Sequence, residues 1–209
     1  MTALHSPRSV EERGEESDHV APAELYPTSH VRVPRSSTPK PRDSSRRLKY
    51  LTEDEVQRLL SIIEGKRDRI LFLLAYRHGL RASEVGLLRV DDLDFKKLRI
   101  KIQRLKGSHS GEHPLQSDEV RALKAHLRSR PVDSPVLFTS RLNQPISRKT
   151  LEWLTKRYGE KASLPQEFRH FHLLRHSIAK HMLDAGTRDR FVQDWLGHAN
   201  IQNTRMYKR

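Results

Sequence analysis

The chain has 209 residues, no cysteine, and 40 Lys and Arg against 26 Asp and Glu, for a formal net charge of +14 and a pI near 10.3. That length suits one domain with a hydrophobic core, or one domain plus a tail. The lack of cysteine excludes disulfides, thiolate metal sites and thiol nucleophiles, so any covalent chemistry must use oxygen or nitrogen. No run of about 18 apolar residues occurs and the N-terminus has no apolar signal core, so the expectation is a cytoplasmic protein with no membrane span.

The charge is unevenly placed. Residues 1–47 hold eight Lys and Arg against seven Asp and Glu, whereas residues 48–209 hold 32 against 19. The excess belongs to the part with a folding pattern, which points to an acidic polymer as partner, a lipid surface being the weaker alternative. Residues 1–47 also carry six of the eleven prolines and no periodic apolar pattern. They read as a Pro/Ser-rich disordered tail.

Ordered structure is expected from residue 48. Thr52 with Glu55 three positions on is a capping box, followed by Val56, Leu59, Leu60 and Ile63 at helical spacing. A second helix is predicted from about Asp68 to His78, stopped by Gly79, and a short one follows from Ala82 to Leu88. Residues 98–104 alternate apolar with polar and lead through Lys106 and Gly107 to His113-Pro114-Leu115, which predicts a strand, a loop and a return strand. Ser117 with Glu119 is expected to open a further helix, and Val136-Leu137-Phe138 reads as a third strand. Ser147 is placed as the cap of a helix reaching about Tyr158. After Pro165 three helices are expected, over 171–185, 188–196 and 200–207, punctuated by Gly186 and Gly197. The fold class is mixed, mainly α with a small antiparallel sheet.

Three segments could carry chemistry. In His78-Gly79-Leu80-Arg81-Ala82-Ser83-Glu84 a glycine ends one helix and Arg81 opens the next, a place suited to an anion, although arginines so placed are commonly surface residues. In His172-Leu173-Leu174-Arg175 the spacing puts an imidazole and a guanidinium on one helix face. A zinc reading of His172 and His176 fails, because position 173 is Leu where a general-base Glu is needed and no third ligand is evident. The third segment is Trp195-Leu196-Gly197-His198, with Tyr207 nine residues after the histidine. Each piece alone has a plain structural reading: a helix stop, a core residue, a tyrosine near a chain end.

Together the segments resemble the tyrosine recombinase and phage integrase family. Its signature is an arginine in a Gly-Leu-Arg-x-x-Glu helix start, a hairpin lysine, His-x-x-Arg, Leu-Gly-His and a following tyrosine. This sequence supplies Arg81, Lys106, His172, Arg175, His198 and Tyr207 in that order, across essentially all of residues 48–209. The stretches Arg81-Ala82-Ser83-Glu84 and Arg104-Leu105-Lys106-Gly107 with His113-Pro114-Leu115 look particularly like the small invertases that switch fimbrial promoters.

The resemblance implies a metal-independent and cofactor-free DNA strand transferase acting on double-stranded DNA as a homo-oligomer, a tetramer on paired sites. Tyr207 would be the nucleophile that forms a 3′-phosphotyrosyl link, with Arg81 and Arg175 clamping the phosphate. His172 would handle protons, Lys106 would protonate the leaving 5′ oxygen, with Lys101 as the nearby alternative, and His198 would bind the phosphate or position Tyr207. Many relatives carry a preceding helical DNA-binding domain and a helix after the tyrosine that docks on a neighbouring subunit, whereas here two residues follow Tyr207. A DNA-binding regulator on the same fold and a type IB topoisomerase are the competing readings.

Overall fold

The computed structural model describes residues 49–105, 108–130 and 134–208. The tail expected over 1–47 and the candidate lysine, Lys106, therefore lie outside the described residues.

The fold is built around one helix that is apolar on most of its circumference. Helix α2 (Lys66–Arg77) buries Ile70, Leu71, Phe72, Leu74 and Ala75, the pattern of an element enclosed on several sides. Around it pack α1 (Glu53–Ser61), α4 (Ser117–Ser129) and α6 (His172–Asp184). Phe72 meets Tyr158 and Phe171 edge to face, each at 5.7 Å between ring centres, a favoured aromatic geometry. Helix α1 begins where expected, with the Thr52 hydroxyl accepting from Glu55 N and the Glu55 carboxylate accepting from Thr52 N. The segment before it is tied down by Leu51 N donating to Ser177 Oγ of α6 at 2.8 Å.

The short helix α3 (Ala82–Val85) follows directly on the α2 stop. A three-stranded antiparallel sheet comes next, in the order β1 (Leu93–Asp94), β2 (Arg99–Ile102), β3 (Gly111–Pro114). Ile100 lies opposite Leu93 on one side and His113 on the other. Ile100 and Ile102 are buried while Lys101 is exposed, so the alternation read from the sequence is a real inside-outside pattern.

The expected third strand is corrected. Val136 makes one isolated bridge, with Arg89, and Leu137 N donates to Leu88 O at 2.8 Å. Leu137 and Phe138 are core residues on an irregular segment, because an apolar run signals burial and says little about pairing. The third strand is Leu93–Asp94, turned back on β2 by the Asp94 carboxylate accepting from Lys96 N and Lys97 N, a local Asx turn.

Helix α4 opens at Ser117 as expected, with Gln116 as its N-cap, whose N–H donates to Glu119 Oε2 at 2.8 Å. Helix α5 (Arg148–Lys161) starts at the expected Ser147 cap and runs three residues past Tyr158. The C-terminal part comprises α6, α7 (Asp189–Leu196), α8 (Gln202–Arg205) and a closing 3-10 turn, Met206–Lys208. Gly79, Gly186 and Gly197 all adopt positive φ, as helix stops require. Among the described residues no helix is long and apolar enough to cross a membrane.

Candidate active site

Two helix ends meet to make the site. The C-terminal end of α2 turns at His78-Gly79 and the C-terminal end of α7 turns at Gly197. Helix C-termini expose carbonyl oxygens that carry partial negative charge and need donors. Here buried arginines supply them. Arg175 of α6, 5% exposed, donates through Nη2 to Leu196 O at 2.7 Å and through Nη1 to Gly79 O.

Arg81 stands at the N-cap of α3. Its guanidinium donates to Glu84 Oε1 at 2.7 Å and to Ser108 Oγ at 3.0 Å, and its backbone N–H to Glu84 Oε2 at 2.8 Å. Glu84 is buried at 1% exposure. Burial alone would raise its carboxyl, but the positive charges of Arg104, Arg81 and Arg175 win and hold it below the ordinary carboxylate range.

His198 follows Gly197 and is buried, with Nδ1 2.9 Å from Thr204 Oγ1 and its backbone O accepting from Gln193 Nε2. Burial, with Arg175, Arg81 and Arg104 nearby, lowers its pKa to about 4. The ring is neutral at physiological pH and one nitrogen can act as acceptor or donor to a ligand.

Tyr207 lies on the closing 3-10 turn. It is 3% exposed, so this is no frayed surface residue. Its ring stacks 6.4 Å from that of His198 and meets His176 edge-on at 5.6 Å. Burial raises its pKa, while Arg175 and Arg81 pull it back. A phenol in such a place is held protonated until a base takes its proton.

His172, at the start of α6, is exposed and reaches Tyr207 through a relay of rings, 5.0 Å to His176 and then 5.6 Å to the tyrosine. Its pKa is lowered, chiefly by burial of part of the ring, with Glu152 opposing. His176 is lowered to about 4 by burial, then by His172, and its buried Nδ1 has no hydrogen-bond partner among the described residues.

Five of the six sequence candidates are therefore grouped: Arg81, Arg175, His198 and Tyr207 directly, and His172 at the rim. Lys106 lies outside the described residues, but the chain on its far side is anchored to the site. Ser108 bridges to His198, and His109 N donates to Gly197 O at 3.2 Å.

Two side chains gain an importance that their positions in sequence did not reveal. His176 is the imidazole that touches Tyr207, and its signal was only its place beside Arg175. Arg104 is a third guanidinium of the site and, with Arg175, a buried one, where the sequence pattern suggests a polar residue at the end of a strand. Among the described residues no group of three or more His, Asp or Glu side chains is arranged to hold a metal ion.

Chemically, the arrangement is a cationic cradle around a tyrosine hydroxyl. Arg81, Arg104 and Arg175 outnumber the single Glu84, and Arg81 and Arg175 each commit part of their five donors to protein oxygens. The remainder can hold an oxyanion, with a nucleophile beside it.

Comparison with known proteins agrees with this geometry. The sequence model of the phage integrase family matches residues 49–209. Tyrosine recombinase XerA of Pyrococcus horikoshii is 36% identical over 162 residues, covering 76% of this chain and 56% of that protein. The type 1 fimbriae regulatory protein FimB of Escherichia coli K12 is 37% identical over 176 residues, covering 80% of this chain and 88% of that protein. The chain thus spans a little over half the length of the XerA relatives it matches. The crystal structure of XerA recombinase superposes with a TM-score of 0.70 at 29% identity, over 77% of this chain and 60% of that one. The XerH site-specific recombinase bound to its difH substrate, a pre-cleavage complex, gives 0.69 at 25% identity, over 79% of this chain and 51% of that one. With a cationic cradle and a buried tyrosine where the matched segment ends, this chain belongs to the phage integrase family.

Proposed function

We propose that this chain is a site-specific tyrosine recombinase, which cuts and rejoins double-stranded DNA through a covalent bond between Tyr207 and a DNA phosphate. The observation that carries the reading is the setting of Tyr207, a buried phenol packed between His198 and His176, with a pKa that burial raises and Arg175 and Arg81 partly pull back. Support also comes from the relatives, named as recombinases and, for XerH, solved on a DNA substrate.

In this reading Arg81 and Arg175 grip the non-bridging oxygens of the scissile phosphate and stabilise the charge that grows there in the transition state. The Tyr207 oxygen bonds to phosphorus, the bond to the 5′ oxygen breaks, and a 3′-phosphotyrosyl link and a free 5′ hydroxyl result. The tyrosine proton passes toward His172, by way of His176. Lys106 gives a proton to the departing 5′ oxygen, and His198 donates to a phosphate oxygen. Rejoining reverses these steps with a different 5′ hydroxyl, so the phosphodiester bond energy is kept and no nucleotide or metal cofactor enters. Exchange between two sites needs four such tyrosines, hence a tetramer on paired DNA, acting in the cytoplasm on the nucleoid.

The test is a nicked DNA carrying the chain's own recombination site, obtained by sequencing rearranged junctions in the DNA flanking its gene. Loss of the short 5′ fragment at the nick traps a covalent protein–DNA adduct. The parent chain is expected to form it and Tyr207→Phe to bind without forming it; trapping by the variant would sink the assignment. Inversion or deletion between paired sites marks a recombinase, whereas relaxation of supercoiled plasmid without exchange marks a topoisomerase.

A further inference from the structure

Arg104 is the most heavily committed side chain near the site. It stands two residues after strand β2 and two before Lys106, yet its side chain is 1% exposed. Nη1 donates to Glu84 Oε2 at 2.6 Å and to Gly79 O at 3.2 Å, while Nη2 donates to His78 O at 3.0 Å and to Trp195 O at 2.9 Å. All four Nη protons are consumed by protein oxygens, so this guanidinium has no pair of donors with which to clamp a phosphate.

Its partners are the elements that hold the ligands. His78 and Gly79 form the end of α2 that leads into Arg81, Glu84 fixes the Arg81 guanidinium, and Trp195 precedes the Leu196 carbonyl that Arg175 caps. Gly79 O receives Arg104 and Arg175 together. Gly197 is packed against the same side chain: a Cβ there would lie 3.2 Å from Arg104 Cγ. A lysine could neutralise Glu84 but could not satisfy three carbonyls on two helix ends at once, because its three donors radiate from one atom.

We propose that Arg104 is a positioning residue for the strand-transfer reaction: it lashes the C-terminal ends of α2 and α7 together behind the site and so sets the spacing of the Arg81 and Arg175 guanidiniums on the scissile phosphate. This inference rests on the recombinase reading above. Arg104 touches no reacting atom; its effect on catalysis runs through the two clamps, whose value depends on sub-ångström placement.

The experiment compares two nicked substrates for the full chain and for Arg104→Lys. One carries the ordinary phosphodiester at the scissile position; the other carries a methylphosphonate, in which a methyl group replaces one charged non-bridging oxygen. The same P–O bond forms to Tyr207 and the same P–O5′ bond breaks, but the neutral centre needs less from the arginines. Arg104→Lys is expected to slow covalent capture of the phosphodiester about 100-fold and of the methylphosphonate less than about 10-fold. The ratio of the two rates is taken within one variant, so a reduced folded fraction cancels from it. Capture of the phosphodiester within about threefold of the parent, or an equal slowing of both substrates, overturns the positioning role. An absence of adduct from the parent chain on the phosphodiester instead overturns the recombinase reading itself, and this inference with it. Arg104→Met, which removes the charge as well, should show a loss at least as large and the same partial recovery.

Discussion

The guanidinium groups of Arg104 and Arg175 converge on one carbonyl oxygen, that of Gly79. From that shared acceptor they diverge to consecutive carbonyls of α7, Arg104 to Trp195 and Arg175 to Leu196. One of these arginines comes from the segment after β2 and the other from α6, so two helix termini are joined through side chains that no local signal would pair. The arrangement explains how a strongly cationic pocket stays folded in the absence of an anion. Arg104 and Arg175 are satisfied by helix-end carbonyls, Arg81 by Glu84 and Ser108, and Glu84 supplies the single countercharge.

Arg175 should therefore matter twice. Burial, with Arg104 and Arg81 nearby, lowers its pKa to about 9, so it still carries its charge at neutral pH. Arg175→Ala should reduce covalent capture of DNA by roughly 10²- to 10³-fold, the loss typical of an oxyanion donor. Urea unfolding should report a lower midpoint as well, because Leu196 O loses its donor. Single-turnover capture and equilibrium unfolding, measured on one preparation, separate the two effects.

Glu84 is the countercharge of the site, and its removal is expected to be costly. Glu84→Gln keeps the shape but leaves Arg104, 1% exposed in its side chain, without a carboxylate. A loss of about 3 kcal/mol in unfolding free energy is expected, as for a buried pair broken on one side. A midpoint unchanged from the parent would show that the carbonyls alone suffice to hold the arginines.

Two glycines separate backbone strain from close packing. Gly186 has φ +84° with nothing within 4 Å of an added Cβ, whereas at Gly197, φ +67°, a Cβ would lie 2.5 Å from His109 O. Gly186→Ala should cost about 1 kcal/mol from the left-handed conformation alone. Gly197→Ala should cost about 2 kcal/mol more, because the hairpin must move away from the helix end. Paired urea titrations measure the difference; equal losses would mean that the hairpin yields freely.

Acid should destabilise the fold in a defined window. The folded pKa values of His198 and His176 are lowered to about 4, against about 6.5 in an unfolded chain. The unfolded chain therefore takes up protons first. The stability from these neutral rings is complete above about pH 6.5 and is lost as the pH falls through the folded values near 4. Each contributes a slope of up to about 1.4 kcal/mol per pH unit within that window. Unfolding midpoints between about pH 4 and 7 should fall less steeply for His198→Asn than for the parent, and a parallel fall would count against the assignment.

Much of this protein was legible in the amino-acid order. The Thr52 and Glu55 capping box, the Ser147 cap and the glycine stops at Gly79 and Gly197 all stand where read, since each acts within about four residues of chain. Arg81, His172, Arg175, His198 and Tyr207 were legible as candidates because they match the motifs of the family in a fixed order. What only the tertiary structure decided is how those residues are supported. Arg104, two residues beyond β2, has the charge of a solvent-facing residue and is instead buried among oxygens 20, 25, 26 and 91 positions away. Tyr207 reads as a chain end and is instead walled in by His176 and His198. Val136-Leu137-Phe138 has the composition of a strand but enters the core without a ladder partner, while Leu93–Asp94 becomes the third strand through a turn at Asp94. Caps and periodicity are set by forces along the chain, whereas ion pairs and carbonyl contacts across 20 or more residues exist only once packing has brought their partners together.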